Sequence, residues 1–315
     1  MADILVLGSL NLDLIVRTPR LPAPGETVLG SAFLTAPGGK GANQAVAAAK
    51  LGAPVKMIGR VGADDFGKTL RHTLSAVGVD AQYLVTDNEA ATGVASIWVD
   101  ERGQNSILVA PGANARVSRA DVDAAATAFH NARVMVAQLE IPLDTVHYAF
   151  QCARKQNCLV ILNPAPAQSL SRKILELVDL AIPNETEAAQ LTGMLVQDFE
   201  SARNAANVIK QMGARRVLVT LGAQGALFLD DAAPAQALPP FSVQAVDTTA
   251  AGDAFIGALA AGLARNQDWT TSLREASAAG ALAATKLGAQ PSLPTRAELD
   301  EFLRSHAAVA PFTLQ

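Results

Sequence analysis

From about residue 115 onward, short apolar runs alternate with stretches of helical spacing, and this rhythm constrains the fold more than any other feature. RVMVAQLE (133–140), LVILNPAP (159–166), DLAIPN (179–184) and RRVLVTLG (215–222) read as buried strands. PLDTVHYAFQCARKQN, SRKILELV and FESARNAANVIKQMG lie between them, with apolar residues at helical spacing. Strands that recur with a helix between them pair in parallel, and the helices then cover both sheet faces. Three more helical patterns follow, from near Ala251, Trp269 and Thr295. The expected fold is therefore α/β, with a mostly parallel sheet between two helical layers. MADILVLGSLNLDLIV supplies the first strand, since it lacks the basic leader and cleavage site of a signal peptide.

Two pieces of the first third break the rhythm. TPRLPAPGETVLGSAFLTAPGG is rich in Pro and Gly, and ATGVASIWVDERGQNSILVAPGAN reads as a hairpin, with ASIWV and SILVA flanking the turn DERGQ. They are expected to form a small separate sheet from insertions at about 14–36 and 91–112 within a single domain spanning 1–315. Ligands in open α/β sheets bind beyond the carboxyl ends of the strands, so this sheet is expected to act as a lid there.

Charge and cysteine usage narrow the partners. A net charge of −4 without a basic block offers no footprint for nucleic acid, and no apolar run is long enough for a membrane span. Cys152 and Cys158 lack CxxC or zinc-ligand spacing, and the four histidines are scattered, so reduced thiols in the cytoplasm are expected.

GADDFGKT (62–69) matches the phosphate-loop pattern GxxxxGK[ST]. Asp64 and Asp65 inside it would repel a triphosphate, whereas both suit the start of a helix, so the segment is read as a helix cap. GGKGANQAVAAAKLG (38–52) opens an alanine-rich helix; Gln44 holds the third glycine position of GxGxxG, which argues against a dinucleotide fingerprint. Its glycines allow close approach to the backbone, and Lys40 and Asn43 add hydrogen-bonding groups. In GSLNLD, Asn11 and Asp13 share a strand face and suit vicinal hydroxyls. PNETE has the spacing of a capping box between Asn184 and Glu187, and the same pair could order Mg²⁺-bound water. TLGAQG (220–225) is a glycine loop at a strand end. In VDTTAAGDAF (246–255), the first-turn amides of Ala251, Gly252 and Asp253 offer an anion hole, and Asp253 a proton acceptor.

Taken in order, GSLNLD, GGKGANQAVAAAK, QLE, NPAPA, PNETE, TLGAQG, VDTTAAGDAF and KLGAQPS resemble the ribokinase-like (pfkB) family of carbohydrate kinases over nearly the whole chain. The resemblance implies ATP-dependent phosphorylation of the D-ribose 5-hydroxyl, with deoxyribose or nucleoside phosphorylation as the alternative. It implies that Asp253 is the base, with Gly252 and Ala251 in the anion hole. Asn11, Asp13, Gly39, Lys40, Asn43 and Glu140 match sugar-binding positions. Asn184, Glu187, Thr220, Gly222 and Gly225, with Gly252, match the Mg–ATP side. Asp247, Thr249, Ala283, Lys286, Gly288 and Ser292 match ligands of a potassium ion. A homodimer joined through the lid is also implied. Two places depart from the family pattern: Ser277, near the expected adenine, and APGAN (110–114), which stands where HAGAN is found.

Overall fold

The computed structural model describes residues 3–102, 104–230, 234–306 and 312–313. In chain order the strands are β1 (Asp3–Leu7), β2 (Asn11–Arg17), β3 (Ala32–Gly38), β4 (Val55–Gly62), β5 (Val79–Asp87), β6 (Gly93–Val99), β7 (Asn105–Ala110), β8 (Ala132–Ala137), β9 (Leu159–Leu162), β10 (Leu180–Ala181), β11 (Arg216–Thr220), β12 (Ala226–Leu229), β13 (Gln236–Leu238) and β14 (Phe312–Thr313). The helices are α1 (Lys40–Lys50), α2 (Asp65–Ala76), α3 (Arg119–Ala124), α4 (Ala126–Asn131), α5 (Leu143–Lys155), α6 (Arg172–Leu175), α7 (Glu185–Thr192), α8 (Phe199–Gln211), α9 (Ala251–Ala264), α10 (Trp269–Ala284) and α11 (Arg296–Ser305).

Ten strands form the main sheet, in the order β14-β13-β12-β11-β10-β9-β8-β1-β4-β5. All pairings from β11 to β5 are parallel, and β12, β13 and β14 extend the sheet in antiparallel fashion. Side-chain alternation divides the core between two faces. Ile4, Val6, Val134 and Val136 pack on the side of α1, α9 and α10. Leu5, Leu7, Met135 and Ala137 pack on the opposite side, with α5 and α8. A parallel sheet covered on both faces needs such continuously apolar strands. The mostly parallel α/β architecture read from the sequence is the one observed, although SRKILELV yields only the single turn of α6.

β2, β3, β6 and β7 form a second sheet in the order β3-β2-β6-β7. The first apolar run is therefore two strands rather than one. It breaks at Gly8–Leu10, where both backbone groups of Leu10 bond to the Asn114 side chain at 2.9 Å instead of to a sheet neighbour. Asn11 and Asp13 consequently begin β2 of the small sheet and do not end β1, and the small sheet runs inward to Asn11 and Gly38, past the expected bounds. Asp64 caps α2, its side chain accepting from the Gly67 N–H at 2.8 Å, so GADDFGKT has the geometry of a helix cap. Lys68 lies on the surface and pairs with Asp65. Among the described residues, no helix is long and apolar enough to cross a membrane.

Candidate active site

Two cavities meet at the N-terminus of α9. The first, of about 330 Å³, lies between the two sheets. Its upper wall is Asn11 and Asp13 of β2 with the apolar Ala95, Ile97, Ile107 and Val109 of β6 and β7. Its floor collects residues just past the carboxyl ends of parallel strands: Glu140 after β8, Asn163 after β9, Ile182 and Asn184 after β10, and Thr220 at the end of β11. Gly39, Lys40 and Asn43 enter from the start of α1, and Thr249, Gly252 and Asp253 from α9 and its approach. The second cavity, of about 470 Å³, is walled by Gly222 and Gly225, by Pro240, Phe241 and Val243, and by Ser277, Gly280 and Ala281 of α10. Asn184, Thr220, Thr248 and Gly252 line both, so the cavities share a boundary.

Close helix packing sets the floor. A Cβ on Gly257 would lie 2.5 Å from the Cβ of Ala47, so only glycine lets α9 approach α1 this closely. Asp253 lies one helical turn before Gly257, on the same face. That approach brings the Asn43 Nδ2 and Gln44 Nε2 donors to the two Asp253 oxygens, each at 2.9 Å. At the mouth of α1, Gly39 has φ +88°, a left-handed conformation suited to glycine, and no side-chain cap. The Lys40 N–H donates instead to Glu140 Oε2 at 3.2 Å, and the Ser9 hydroxyl donates to the same carboxylate oxygen.

The first cavity is electrostatically crowded. Burial first, then the charges of Glu140 and Asp253, push Asp13 up to about 7. Burial also raises Asp253, opposed by Lys40, Asn43 and Gln44 and reinforced by Glu140. Glu187 is raised chiefly by burial, against the Asn184 N–H and Lys40. For Lys40 burial works the other way, yet Asp253, Glu140 and Glu187 together hold it above its ordinary value. One half-buried ammonium therefore faces several carboxylates, and the Asp13 side chain makes no hydrogen bond among the described residues. Hydroxyl donors from a ligand would offset that cost.

The entry to α9 differs in one respect from the expected anion hole. Its cap, Ala250, has no capping side chain, and the Ala251 N–H is taken by the Thr248 carbonyl at 3.1 Å. The tight Thr248–Ala251 turn uses that donor. Among the described residues, the Gly252 and Asp253 N–H groups have no hydrogen-bond partner, and both sit at the positive end of the helix dipole. Asn184 and Glu187 form a reciprocal capping box at 2.8 and 2.9 Å, and both still line the first cavity.

Asp247, Ala283, Lys286, Gly288 and Ser292 line neither cavity. Asp247 accepts from the Thr249 and Gly288 N–H groups, each at 2.9 Å, and from the Thr249 hydroxyl at 2.5 Å. Burial disfavours its charge, but these donors prevail and hold it below the ordinary carboxylate range. Its described partners are all neutral. The nearby Lys286 ammonium pairs with Glu298, and the Ser292 hydroxyl donates to the Ala289 carbonyl, leaving its lone pairs for another partner. A carboxylate with hydroxyl and carbonyl oxygens suits a weakly hydrated cation. Sequence reasoning missed Gln44, Gln138 and Asn163, which join behind Asp253, and Asn114, whose Nδ2 holds Asn11 Oδ1 at 2.8 Å. Only their amide side chains marked them, with neighbouring glycines for Gln44 and Asn114 and a place just past a buried strand for Gln138 and Asn163.

The pfkB family carbohydrate kinase model matches residues 1–296. A ribokinase of Haemophilus influenzae is 44% identical over 298 residues, spanning 95% of this chain and 97% of its own length. A deoxyribokinase of Salmonella typhi is 39% identical over 302 residues, with 96% and 98% covered. A structure of Arabidopsis thaliana ribokinase complexed with ribose and ATP superposes with a TM-score of 0.88 at 34% identity, covering 96% of this chain and 99% of that one.

Proposed function

The chain belongs to the pfkB family of carbohydrate kinases, phosphotransferases with an alcohol acceptor, and from that premise we propose that it transfers the γ-phosphoryl group of ATP to the 5-hydroxyl of D-ribose, giving ribose 5-phosphate and ADP. The observation that carries this reading is the meeting of two cavities at Gly252, with Asp253 on the floor of the first. The sugar occupies the first cavity, held by Asn11, Asp13, Gly39, Lys40, Asn43 and Glu140. ATP occupies the second, along Thr220, Gly222 and Gly225, and its γ-phosphoryl points at the shared boundary. Asp253 takes the hydroxyl proton as the new O–P bond forms, and the Gly252 and Asp253 amides stabilise the charge on the transferred group. Positioning supplies most of the acceleration.

Asn184 and Glu187 would hold Mg²⁺ through water, and the ion would neutralise phosphate charge that the carboxylate-rich cavity opposes. Asp247, Thr249, Ala283, Lys286, Gly288 and Ser292 would hold potassium through side-chain and carbonyl oxygens, steadying the entry to α9. Turnover at saturating Mg–ATP is expected to rise several-fold when a bulky organic cation is replaced by potassium. Equal turnover in both salts would remove the cation site from the account.

The small sheet is the lid that excludes water, and its outer surface is the dimer contact. Phe33 is 63% exposed and Leu108 76%, and the strand register sets Trp98 on the same face, opposite the cavity-lining Ile107, an apolar patch that a second copy would cover. Light scattering at micromolar concentration checks this, with a monomer as the contrary result. Two free cysteines, one of them buried, suit the reducing cytoplasm, which cell fractionation tests.

ADP release over a panel of sugars tests the substrate. An Asp13 carboxylate built to accept from vicinal hydroxyls loses a partner with 2-deoxyribose, so kcat/KM is expected to favour ribose. Equal or reversed preference would assign the chain the activity named for the Salmonella relative.

A further inference from the structure

Asp253 is met by two side-chain amides, and one of them never reaches the cavity. Gln44 is 1% exposed and lies behind the carboxylate. Its Nε2 donates to Asp253 Oδ1 at 2.9 Å and to Asn163 Oδ1 at 3.2 Å, and its Oε1 accepts from Gln138 Nε2 at 2.6 Å. Asn163 Nδ2 in turn donates to the Ile182 carbonyl at 3.0 Å. The amide is thereby locked: reversing it would set its oxygen against both the Asp253 carboxylate and Asn163 Oδ1, which the bond to the Ile182 carbonyl keeps in place. The anchors Gln138, Asn163 and Ile182 follow β8, β9 and β10 directly, so the chain of amides ties the carboxylate to three neighbouring strand ends.

We infer that Gln44, locked by Gln138 and Asn163, is a positioning residue that fixes the plane of the Asp253 carboxylate toward the sugar hydroxyl. The inference rests on Asp253 being the base. An amide joined to one oxygen of a carboxylate removes its freedom to rotate, and a carboxylate off the line of the hydroxyl proton loses near-attack geometry. The same donor favours the ionised form. Of the charged groups facing Asp253, Lys40 favours ionisation, whereas Asp13, Glu140 and Glu187 oppose it. Losing the Gln44 donor therefore shifts the balance toward the protonated, inactive carboxyl.

The test measures kcat, both KM values and the pH profile of kcat for Gln44→Met and Gln138→Met, beside Asp253→Asn. A hydrogen bond to a charged group carries roughly a ten- to hundredfold effect, so kcat of Gln44→Met is expected to fall by about that factor. KM for ribose and for ATP should stay within a few-fold, because Gln44 touches neither cavity. The acid limb of kcat should move to higher pH. Gln138→Met, which leaves Asp253 untouched, should shift the limb in the same direction by less, and it carries the test if Gln44→Met does not fold. A purely structural role would lower thermal stability and leave the acid limb and the kcat of folded enzyme unchanged, and that result overturns the inference. An active Asp253→Asn overturns the base assignment itself. An inactive Asp253→Asn with an unshifted Gln44→Met overturns only the positioning role.

Discussion

Replacing Asp253 with asparagine is expected to lower turnover by about 10²–10⁴-fold while ribose and ATP still bind, since that is the usual range for loss of a general base. Asparagine keeps the shape but cannot take the proton. Its NH₂ would face either Asn43 Nδ2 or Gln44 Nε2, both donors to the present carboxylate. Asn43 can absorb the change by turning its amide over, because its Oδ1 is buried and without a partner. Gln44 is held against turning by Asn163, whose Oδ1 accepts from its Nε2 and whose Nδ2 is tied to the Ile182 carbonyl. Removing a buried charge also relieves the desolvation that raises Asp253. The variant should therefore fold, bind both substrates within a few-fold by calorimetry, and fail in turnover. Near-normal turnover would exclude Asp253 as the base.

Gly252→Val should have the second-largest effect, about 10²-fold or more on kcat/KM, comparable to losing an oxyanion-hole donor. A Cβ built on Gly252 meets nothing within 4 Å, and the residue does not have the positive φ that would require glycine. Packing alone thus leaves room for a side chain. The room lies on the shared boundary of the two cavities, where the transferring phosphoryl must pass close to the backbone. The branched side chain would fill that passage and keep the phosphoryl from the amides. A thermal midpoint close to the unsubstituted protein's, together with lost activity, is the expected pair of results. Normal activity in Gly252→Val would show that no ligand approaches this backbone.

The parts of the fold that depend on local pattern were legible in the sequence. Alternating apolar runs and helical periods specified the parallel strands from β8 to β11, and two irregular insertions announced a separate small sheet. Periodicity could not show that MADILVLGSLNLDLIV bends into two strands, because both halves are apolar and only the Asn114 amide, 104 residues away, marks the break. The antiparallel extension by β12 and β13 was illegible for a similar reason, since strands of four and three residues carry too little pattern. Asp253 stood out as an acid in the first turn of an apolar helix. Gln44 did not, because its meaning comes from partners 94 and 209 residues distant. The open amides at α9 were predictable from the lack of a capping side chain, but the diversion of the Ala251 N–H to Thr248 depends on a turn whose backbone angles no short pattern specifies.

The central claim is that a ribose hydroxyl and the γ-phosphoryl of ATP meet over the N-terminus of α9. Phosphorus NMR of a reaction containing D-ribose, Mg–ATP and potassium tests it most directly. The account predicts one new phosphomonoester, coupled to the C5 protons of the sugar and formed in equal amount with ADP. ADP appearing with inorganic phosphate alone, or a phosphate on the anomeric carbon, would contradict it.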